Sequence, residues 1–202
     1  MKNAICMIFT LLLLTLGMTA SATAQKGKLF KGVDWLELSR EVKSGRIKVD
    51  QSVVDIVESA YAAAPETEPN ENAVSNNLTG TWYCTVPGPT PEATFYAYQT
   101  FGLGGTFVET SSLLATLTEG PAQGVWERRF NGNILTFELF AFDPSTGSQV
   151  GRVRVRNYIT MEDRAHFVAN SVVDFIELDG TVIPNIAAGP FYGERVQLLG
   201  PR

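Results

Sequence analysis

Short runs of alternating apolar and polar residues, separated by clusters of turn residues, fill the chain from residue 79 onward. Alternation of this kind predicts strands that bury one face. The runs lie at about residues 79–86, 93–101, 105–112, 123–130, 134–142, 149–160, 165–177 and 190–198. The connections are short and hold no helix, and closing such a sheet removes its exposed edges. We therefore predict a mainly β fold, an eight-stranded antiparallel up-and-down barrel.

The chain ahead of these strands has the period of a helix. Trp35, Leu38 and Val42 recur at helical spacing, and a second helical pattern begins near Asp50, a good N-cap, and ends before Pro65. A helix that lies on a membrane surface needs a strongly basic polar face, which neither pattern has. We predict two short helices that precede the barrel and pack against it.

The first residues have the features of a secretory signal peptide. Lys2 precedes an apolar run at 5–18 that is short for a bilayer span, and small residues at 22–24 fit cleavage after Ala24. This predicts a secreted or periplasmic protein with no stable membrane insertion after cleavage. The predicted organisation is a signal peptide at 1–24, a short helical segment at 25–64, an acidic linker at 65–77 and a β-barrel domain at 78–202.

Charge and composition exclude several classes of function. The chain has 16 basic and 21 acidic residues, and cleavage after Ala24 removes Lys2, so we expect no nucleic-acid partner. His166 is the single histidine, and Cys84 is the single cysteine beyond the signal peptide. These residues cannot assemble a zinc cluster, and no nucleophile elbow or phosphate-binding loop is present. We predict no metal and no cofactor.

Hairpin geometry assigns side chains around the Asn131-Gly132 turn to faces. A two-residue turn there places one largely apolar set on a shared face, which we predict to be the interior. This set is Trp126, Arg128, Leu135, Phe137 and Leu139. On the following strand, Val153, Val155 and Ile159 then point inward. Arg152, Arg154 and Arg156 point outward, with Glu138 as a cross-strand partner for one of them.

A polar patch inside the barrel follows if the turn at Glu162-Asp163 is tight. A tight turn at Glu162-Asp163 points His166, Asn170 and Asp174 inward. Arg128 in an apolar interior then needs a carboxylate, for which Asp174 and Glu109 are the candidates. Across the glycine-rich turn at 102–105, Glu109 and Phe107 share a face with Tyr98, and the long connection that follows leaves either side of the sheet open for this face. The predicted ligand-binding residues are Tyr98, Phe107, Glu109, Trp126, Arg128, Phe137, Asn170 and Asp174.

The triplet Gly80-Thr81-Trp82 on the first barrel strand resembles the Gly-x-Trp signature of lipocalins. Arg195 on the last strand stands where that family has a basic residue packed over the tryptophan. The resemblance covers two short motifs within residues 78–198. It implies an eight-stranded barrel in which Gly80, Trp82 and Arg195 are structural and the Trp82–Arg195 stack closes one end. Barrels of the dirigent and allene oxide cyclase type are similar at this level.

Three classes of function remain open from the sequence. The first is a barrel that binds a small, mainly apolar molecule in its interior. The second is a cofactor-free isomerase or cyclase in which Glu109, Asp174 or His166 acts as acid or base. The third is an interaction module of a cell envelope. We expect a monomer, with a homo-oligomer as the alternative, because the helices can cover the outward apolar residues Ile134, Phe140 and Phe142.

Overall fold

The computed structural model describes residues 33–63, 77–87, 94–116, 118–129 and 132–197. Their main feature is a closed barrel of eight antiparallel strands in sequence order, with the first strand paired to the last. This confirms the predicted fold class. The strands are β1 (Gly80–Val86), β2 (Phe95–Phe101), β3 (Thr106–Ser111), β4 (Ala122–Arg129), β5 (Gly132–Phe142), β6 (Gln149–Met161), β7 (His166–Glu177) and β8 (Val182–Arg195).

Two helices precede the barrel within the described residues, α1 (Trp35–Lys43) and α2 (Gln51–Ala62). Each begins at an aspartate whose carboxylate accepts a hydrogen bond from a backbone N–H of the first turn. Such caps satisfy donors that have no partner inside the helix. The predicted helices and the predicted N-cap Asp50 are therefore confirmed.

The helices pack on the outside of β6, β7 and β8. Val54 and Val57 of α2 form a buried apolar cluster with Val172 of β7. The Tyr61 hydroxyl donates to the backbone carbonyl of Leu135 at 2.5 Å. The helices therefore lie farther along the sheet than predicted. Ile134 is buried, but Phe140 stays 51% exposed.

The faces of β4, β5 and β6 match the prediction. Trp126 pairs with Leu135, and Phe137 pairs with Val155, so these side chains share the inner face. Glu138 lies outside, where it forms ion pairs with two arginines of the predicted ladder, Arg152 and Arg154. The third, Arg156, is largely covered and has different partners, Asp174 and Glu58.

The prediction for β7 is wrong, because the β6–β7 turn is not tight. The strand pairing begins at Met161 and Phe167, so five residues, 162–166, separate the paired positions instead of two. Asp163 shapes this connection by accepting hydrogen bonds from the backbone N–H groups of Ala165 and His166. An odd change in register exchanges the two faces of a strand. The inward side chains are therefore Phe167, Ala169, Ser171, Val173 and Phe175, whereas His166, Asn170 and Asp174 lie outside.

The predicted position of Tyr98 is also wrong. Phe101 pairs with Phe107 and Gln99 pairs with Glu109, so five residues, 102–106, separate the last paired positions instead of four. The extra residue turns Tyr98 outward, where it is 54% exposed. Phe107 and Glu109 share the inner face with Gln99 instead.

Strand β8 begins well before the predicted residue 190, and it contains a bulge. The β7–β8 register shifts between Val173 and Phe175, and Asn185 opposite this shift has a φ of 54°. Asparagine tolerates this left-handed conformation better than most residues. The backbone N–H of Asn185 donates to the Asp174 carboxylate at 3.0 Å, which helps to hold Asp174 on the outer face.

Candidate functional site

One end of the barrel interior is closed by Trp82 and Arg195, and we call this the plug end. The guanidinium carbon of Arg195 lies 4.1 Å from the centroid of the Trp82 ring, which is the stack implied by the lipocalin resemblance. Gly80 has a φ of 124°, and a Cβ there would come within 3.0 Å of the Arg195 guanidinium. A glycine at position 80 therefore leaves room for the arginine.

The polar atoms of the plug end all have partners. Arg195 donates to the carbonyls of Thr79 at 2.6 Å, Asn77 at 2.5 Å and Arg164 at 2.8 Å. The Trp82 indole N–H donates to the Leu78 carbonyl at 2.8 Å. The plug end is thus saturated with internal hydrogen bonds, and its role is structural.

Aromatic side chains continue from the plug end into the barrel. Phe101 packs against Phe107 with ring centroids 5.1 Å apart, and Phe107 stacks on Phe137 at 5.0 Å. Trp126 meets Phe101 edge to face at 6.0 Å, and its N–H donates to the Gly102 carbonyl. Together these rings form an apolar wall across β2, β3, β4 and β5.

Glu109 of β3 is a buried carboxyl group on the inner face, only 8% exposed. The side-chain amide of Gln99 donates to Glu109 at 2.5 Å. Burial raises the pKa of Glu109 to about 8; the hydrogen bond from Gln99 opposes this shift and the nearby Glu119 adds to it. At neutral pH Glu109 is therefore mainly protonated, so it can donate a hydrogen bond.

A second buried carboxyl group, Glu119, lies in the β3–β4 connection. It forms a backbone bridge with Ala141 of β5, and its side chain accepts a hydrogen bond from the Ser111 hydroxyl. Burial raises the pKa of Glu119 to about 7, partly offset by that hydrogen bond. We call Glu109 and Glu119 the carboxyl pair. Within the described part of the chain, no cation contributes to either pKa shift.

The surroundings of the carboxyl pair are incompletely hydrogen-bonded. Gln99 Oε1 is buried and accepts no hydrogen bond from any described residue. Cys84 lies nearby as a buried free thiol, and burial and the charge of Glu109 raise its pKa. A buried acceptor without a donor costs about 1–3 kcal/mol. This part of the interior therefore offers hydrogen-bonding capacity that the plug end does not.

The inner face carries a further polar group on β5, β6 and β7. Asn157 accepts a hydrogen bond from the Ser171 hydroxyl at 2.6 Å, and its amide nitrogen has no partner among the described residues. Both side-chain polar atoms of Asn133 are likewise buried and without a described partner. Arg128 pairs across the strands with Asn133, so the predicted inward arginine faces this asparagine.

The predicted ligand-binding residues thus divide into two sets. Phe107, Glu109, Trp126, Arg128 and Phe137 lie on the inner face. Tyr98, Asn170 and Asp174 lie on the outer face and cannot contribute to an interior site.

Asp174 belongs to a network outside the barrel wall. Its carboxylate pairs with Arg156 at 3.2 Å, and Arg156 also binds Glu58 of α2 and the side chain of Asn185. Arg156, and not Arg128, is therefore the partner of Asp174. This network and the Lys43–Glu177 ion pair at 3.1 Å attach the helices to the strands.

Several interior polar residues were not among the predicted site residues. Asn157 continues the alternation of Val153 and Val155, so that signal would have found it. Gln99 takes the inner position that the prediction assigned to Tyr98. Glu119 lies in a connection, where no periodic pattern marks it.

A groove of about 540 Å³ lies outside the barrel. It runs between α2 and the wall and is lined by Ile56, Ala60, Arg129 and Tyr158, among others. Arg129 donates to the Ala63 carbonyl at 3.1 Å and pairs with Glu127 at 3.2 Å. Its charge is thus matched by its own neighbours.

The comparisons with known proteins give no assignment. No family model, curated protein or solved structure matches the chain. Among the described residues, no group of three or more histidine, cysteine or acidic side chains is placed to hold a metal ion. None of the described helices combines the length and the apolar character needed to cross a membrane.

Proposed function

We propose that the barrel binds a small, mainly apolar molecule in its interior and holds a neutral polar group of that molecule at the carboxyl pair. The observation that carries the proposal is Glu109, a buried acid hydrogen-bonded to Gln99, whose own carbonyl oxygen has no described partner. Ligand sites in proteins are mainly apolar, with a few convergent polar groups that fix orientation. The lipocalin resemblance, which implies an interior ligand, supports the same function.

The electrostatics of the carboxyl pair select the kind of ligand. Protonated Glu109 offers a donor, and Gln99 Oε1 offers an acceptor. An anionic group would raise the pKa of both carboxyls further and would be repelled by ionised Glu119. We therefore expect the polar end of the ligand to be a hydroxyl, carbonyl or amide group, with the apolar part against Phe107 and Phe137.

Titration with a panel of neutral apolar fluorophores tests this proposal, with intrinsic tryptophan emission as the readout. We expect saturable binding that weakens as the pH rises through 8, because Glu109 then loses its donor. Glu109→Gln should keep a polar side chain of the same size and flatten that pH dependence. Glu127→Gln, at an exposed site on β4, is the matched control. The proposal fails if no probe saturates and an experimental structure shows a filled interior.

A second candidate function is a cofactor-free isomerase or cyclase, and one observation favours it. The carboxyl pair has raised pKa values, about 8 for Glu109 and about 7 for Glu119, which suits general acid and base catalysis near neutral pH. The original candidates His166 and Asp174 lie outside the barrel, so the pair replaces them. Dirigent and allene oxide cyclase barrels, which the sequence resembles at a coarse level, perform chemistry of this class.

Titration of the carboxyl carbons by NMR separates catalysis from simple binding. Values near 4.5 for both Glu109 and Glu119 would rule out the acid–base role. If a bound probe is recovered chemically unchanged from the wild-type protein, binding is the function. If the probe is recovered as an isomer from the wild type but unchanged from Glu109→Gln, the function is catalysis.

We also propose that the protein acts outside the cytoplasm. The support is the signal-peptide pattern at residues 1–24, which lie outside the described residues. N-terminal sequencing of the exported protein should begin at Gln25. A protein that retains residues 1–24 would contradict this proposal.

A further inference from the structure

The outer face of β1, β2 and β3 has a composition unlike the rest of the barrel wall. Every outward side chain on these strands is uncharged, and each carries a hydroxyl group except Val108. We call this surface the tyrosine face. Its residues are Thr81, Tyr83, Thr85, Tyr96, Tyr98, Thr100, Thr106, Val108 and Thr110.

Three tyrosine rings form the centre of the tyrosine face. Tyr83 stacks on Tyr96 with centroids 5.7 Å apart and planes inclined by only 9°, and it meets Tyr98 at 5.5 Å. The three residues remain 38%, 44% and 54% exposed, respectively. Mutual contact restricts their side chains, so they form an ordered aromatic platform that is open to solvent.

Neither α1 nor α2 covers this platform, because both helices pack on β6, β7 and β8. The threonines that surround the rings point out from the same strands. Among the described residues, the charged residue nearest in strand register is Glu194 of β8, which is the cross-strand partner of Tyr83. Within the described residues, the tyrosine face is therefore an aromatic surface with hydroxyl groups around it and the Glu194 carboxylate on the adjoining strand.

We propose that the tyrosine face binds an uncharged polysaccharide. The faces of sugar rings present C–H bonds, which pack favourably against the electron-rich faces of aromatic rings. The edges of sugar rings present hydroxyl groups, which threonine and tyrosine hydroxyls can match as both donors and acceptors. A neutral chain of hydroxyl-bearing rings complements both features of this surface at once.

The same features disfavour other occupants. An anionic polymer finds no basic side chain on these strands, and nucleic acid binding depends on such charges. An apolar protein surface would strip water from the threonine hydroxyls without replacing their hydrogen bonds. The tyrosine face is on the opposite side of the wall from the carboxyl pair, so this inference does not depend on the interior ligand.

Affinity electrophoresis of the purified protein tests the inference, with gels that contain hydroxyethyl cellulose, dextran or galactomannan. We expect at least one of these polymers to retard the wild type. Tyr98→Ala should weaken that retardation about tenfold, because it removes the most exposed ring of the platform. Tyr98→Phe should keep most of it, since the ring remains. Phe140→Ala, at an aromatic residue of similar exposure on β5, is the matched control and should have no effect.

Three results would overturn the inference. In the first, none of the three polymers retards the wild type. In the second, Tyr98→Ala binds as well as Phe140→Ala while both variants keep the wild-type circular dichroism spectrum. In the third, light scattering shows a concentration-dependent dimer that Tyr98→Ala abolishes, so a second copy of the chain occupies the surface. A misfolded Tyr98→Ala is replaced by Tyr96→Ala, for which the same expectations hold.

Discussion

Arg195 and Glu109 are both ionisable side chains within the same barrel, but their surroundings differ. Arg195 stacks on Trp82 and donates to three backbone carbonyls. Glu109 is more deeply buried, receives a hydrogen bond from Gln99 and is held mainly protonated by burial. The plug end uses its polar groups to join strands, whereas the carboxyl pair keeps polar groups whose capacity is only partly used.

This difference distinguishes a structural residue from a candidate site residue. Saturated polar groups contribute to stability and cannot bind another molecule without breaking existing hydrogen bonds. Unsaturated groups cost stability in the free protein and recover it when a partner supplies the missing hydrogen bonds. Substitutions at the plug end should therefore destabilise the barrel, and some substitutions at the carboxyl pair should stabilise it.

Trp82→Ala should have the largest effect. The side chain is fully buried. Its ring centroid lies 4.9 Å from that of Phe167, and Arg195 also packs on the ring, so truncation leaves a cavity. The expected loss in the free energy of unfolding is about 3–5 kcal/mol, measured by urea denaturation. Phe140→Ala, at an exposed ring, should lose less than about 1 kcal/mol. A loss that small for Trp82→Ala would show that the plug does not hold the barrel together.

Arg195→Met should destabilise less, by about 2–3 kcal/mol, because methionine keeps some packing on Trp82 but loses the charge and every donor. Arg195→Lys is the informative companion. Lysine keeps the charge, but its single ammonium group cannot donate to all three carbonyls as the planar guanidinium does. Most of the loss in the free energy of unfolding should therefore remain. If lysine restored the wild-type midpoint in urea, the charge alone and not the hydrogen-bond geometry would stabilise this end.

The carboxyl pair should give the barrel a stability that falls with pH. Glu109 has a folded pKa of about 8, above its ordinary value of 4.5, so its contribution is fully present below pH 4.5 and is lost as the pH rises through 8. Glu109→Gln removes that loss and should stabilise the protein by about 1–2 kcal/mol at pH 9. In the Glu109→Gln variant, Glu119 is still present, so the stability should still fall as the pH rises to about 7.

Thermal melts from pH 4 to 9 measure this effect, with Glu127→Gln as the control at an exposed carboxyl. A wild-type stability that stays level between pH 5 and 8 would contradict the assignment of a buried protonated acid. It would also remove the contrast between the plug end and the carboxyl pair.

The smallest effect is expected for Gln99→Leu. The substitution removes a buried acceptor that has no described partner, but it also removes the hydrogen bond that lowers the pKa of Glu109. The two changes oppose each other, so stability at pH 6 should change by less than about 1 kcal/mol. NMR titration should show a further rise in the pKa of Glu109, and a fall would contradict the described pairing of these side chains.

Alternation and turn signals were sufficient to predict the closed barrel and the inner face of β4, β5 and β6. Two residues separate the paired positions Arg129 and Gly132 of β4 and β5, which is the number that the prediction assumed. Trp126 and Phe137 therefore fall on the predicted face. The assignments of Tyr98 and Asp174 failed because each depended on the length of one turn. A single extra residue in a connection reverses every side chain beyond it.

The chemistry of the site was harder to predict than the fold. Alternation alone shows only that Glu109 lies on one of the two faces of its strand. The burial that raises its pKa depends on parts of the chain that are distant in sequence. Glu119 enters the interior from a connection, through a bridge to Ala141 that no local pattern indicates. Residues that meet through tertiary structure leave no period in the sequence.

The pairing of β1 with β8 also determines when the barrel can close during synthesis and folding. All other paired strands are neighbours in the chain, so they can associate as soon as they emerge from the ribosome. The seam that joins Trp82 to Arg195 must wait for the last strand, at the entropic cost of the longest loop in the fold. Until then β1 is an open edge with unpaired backbone groups, which is the feature by which nascent β-proteins associate wrongly.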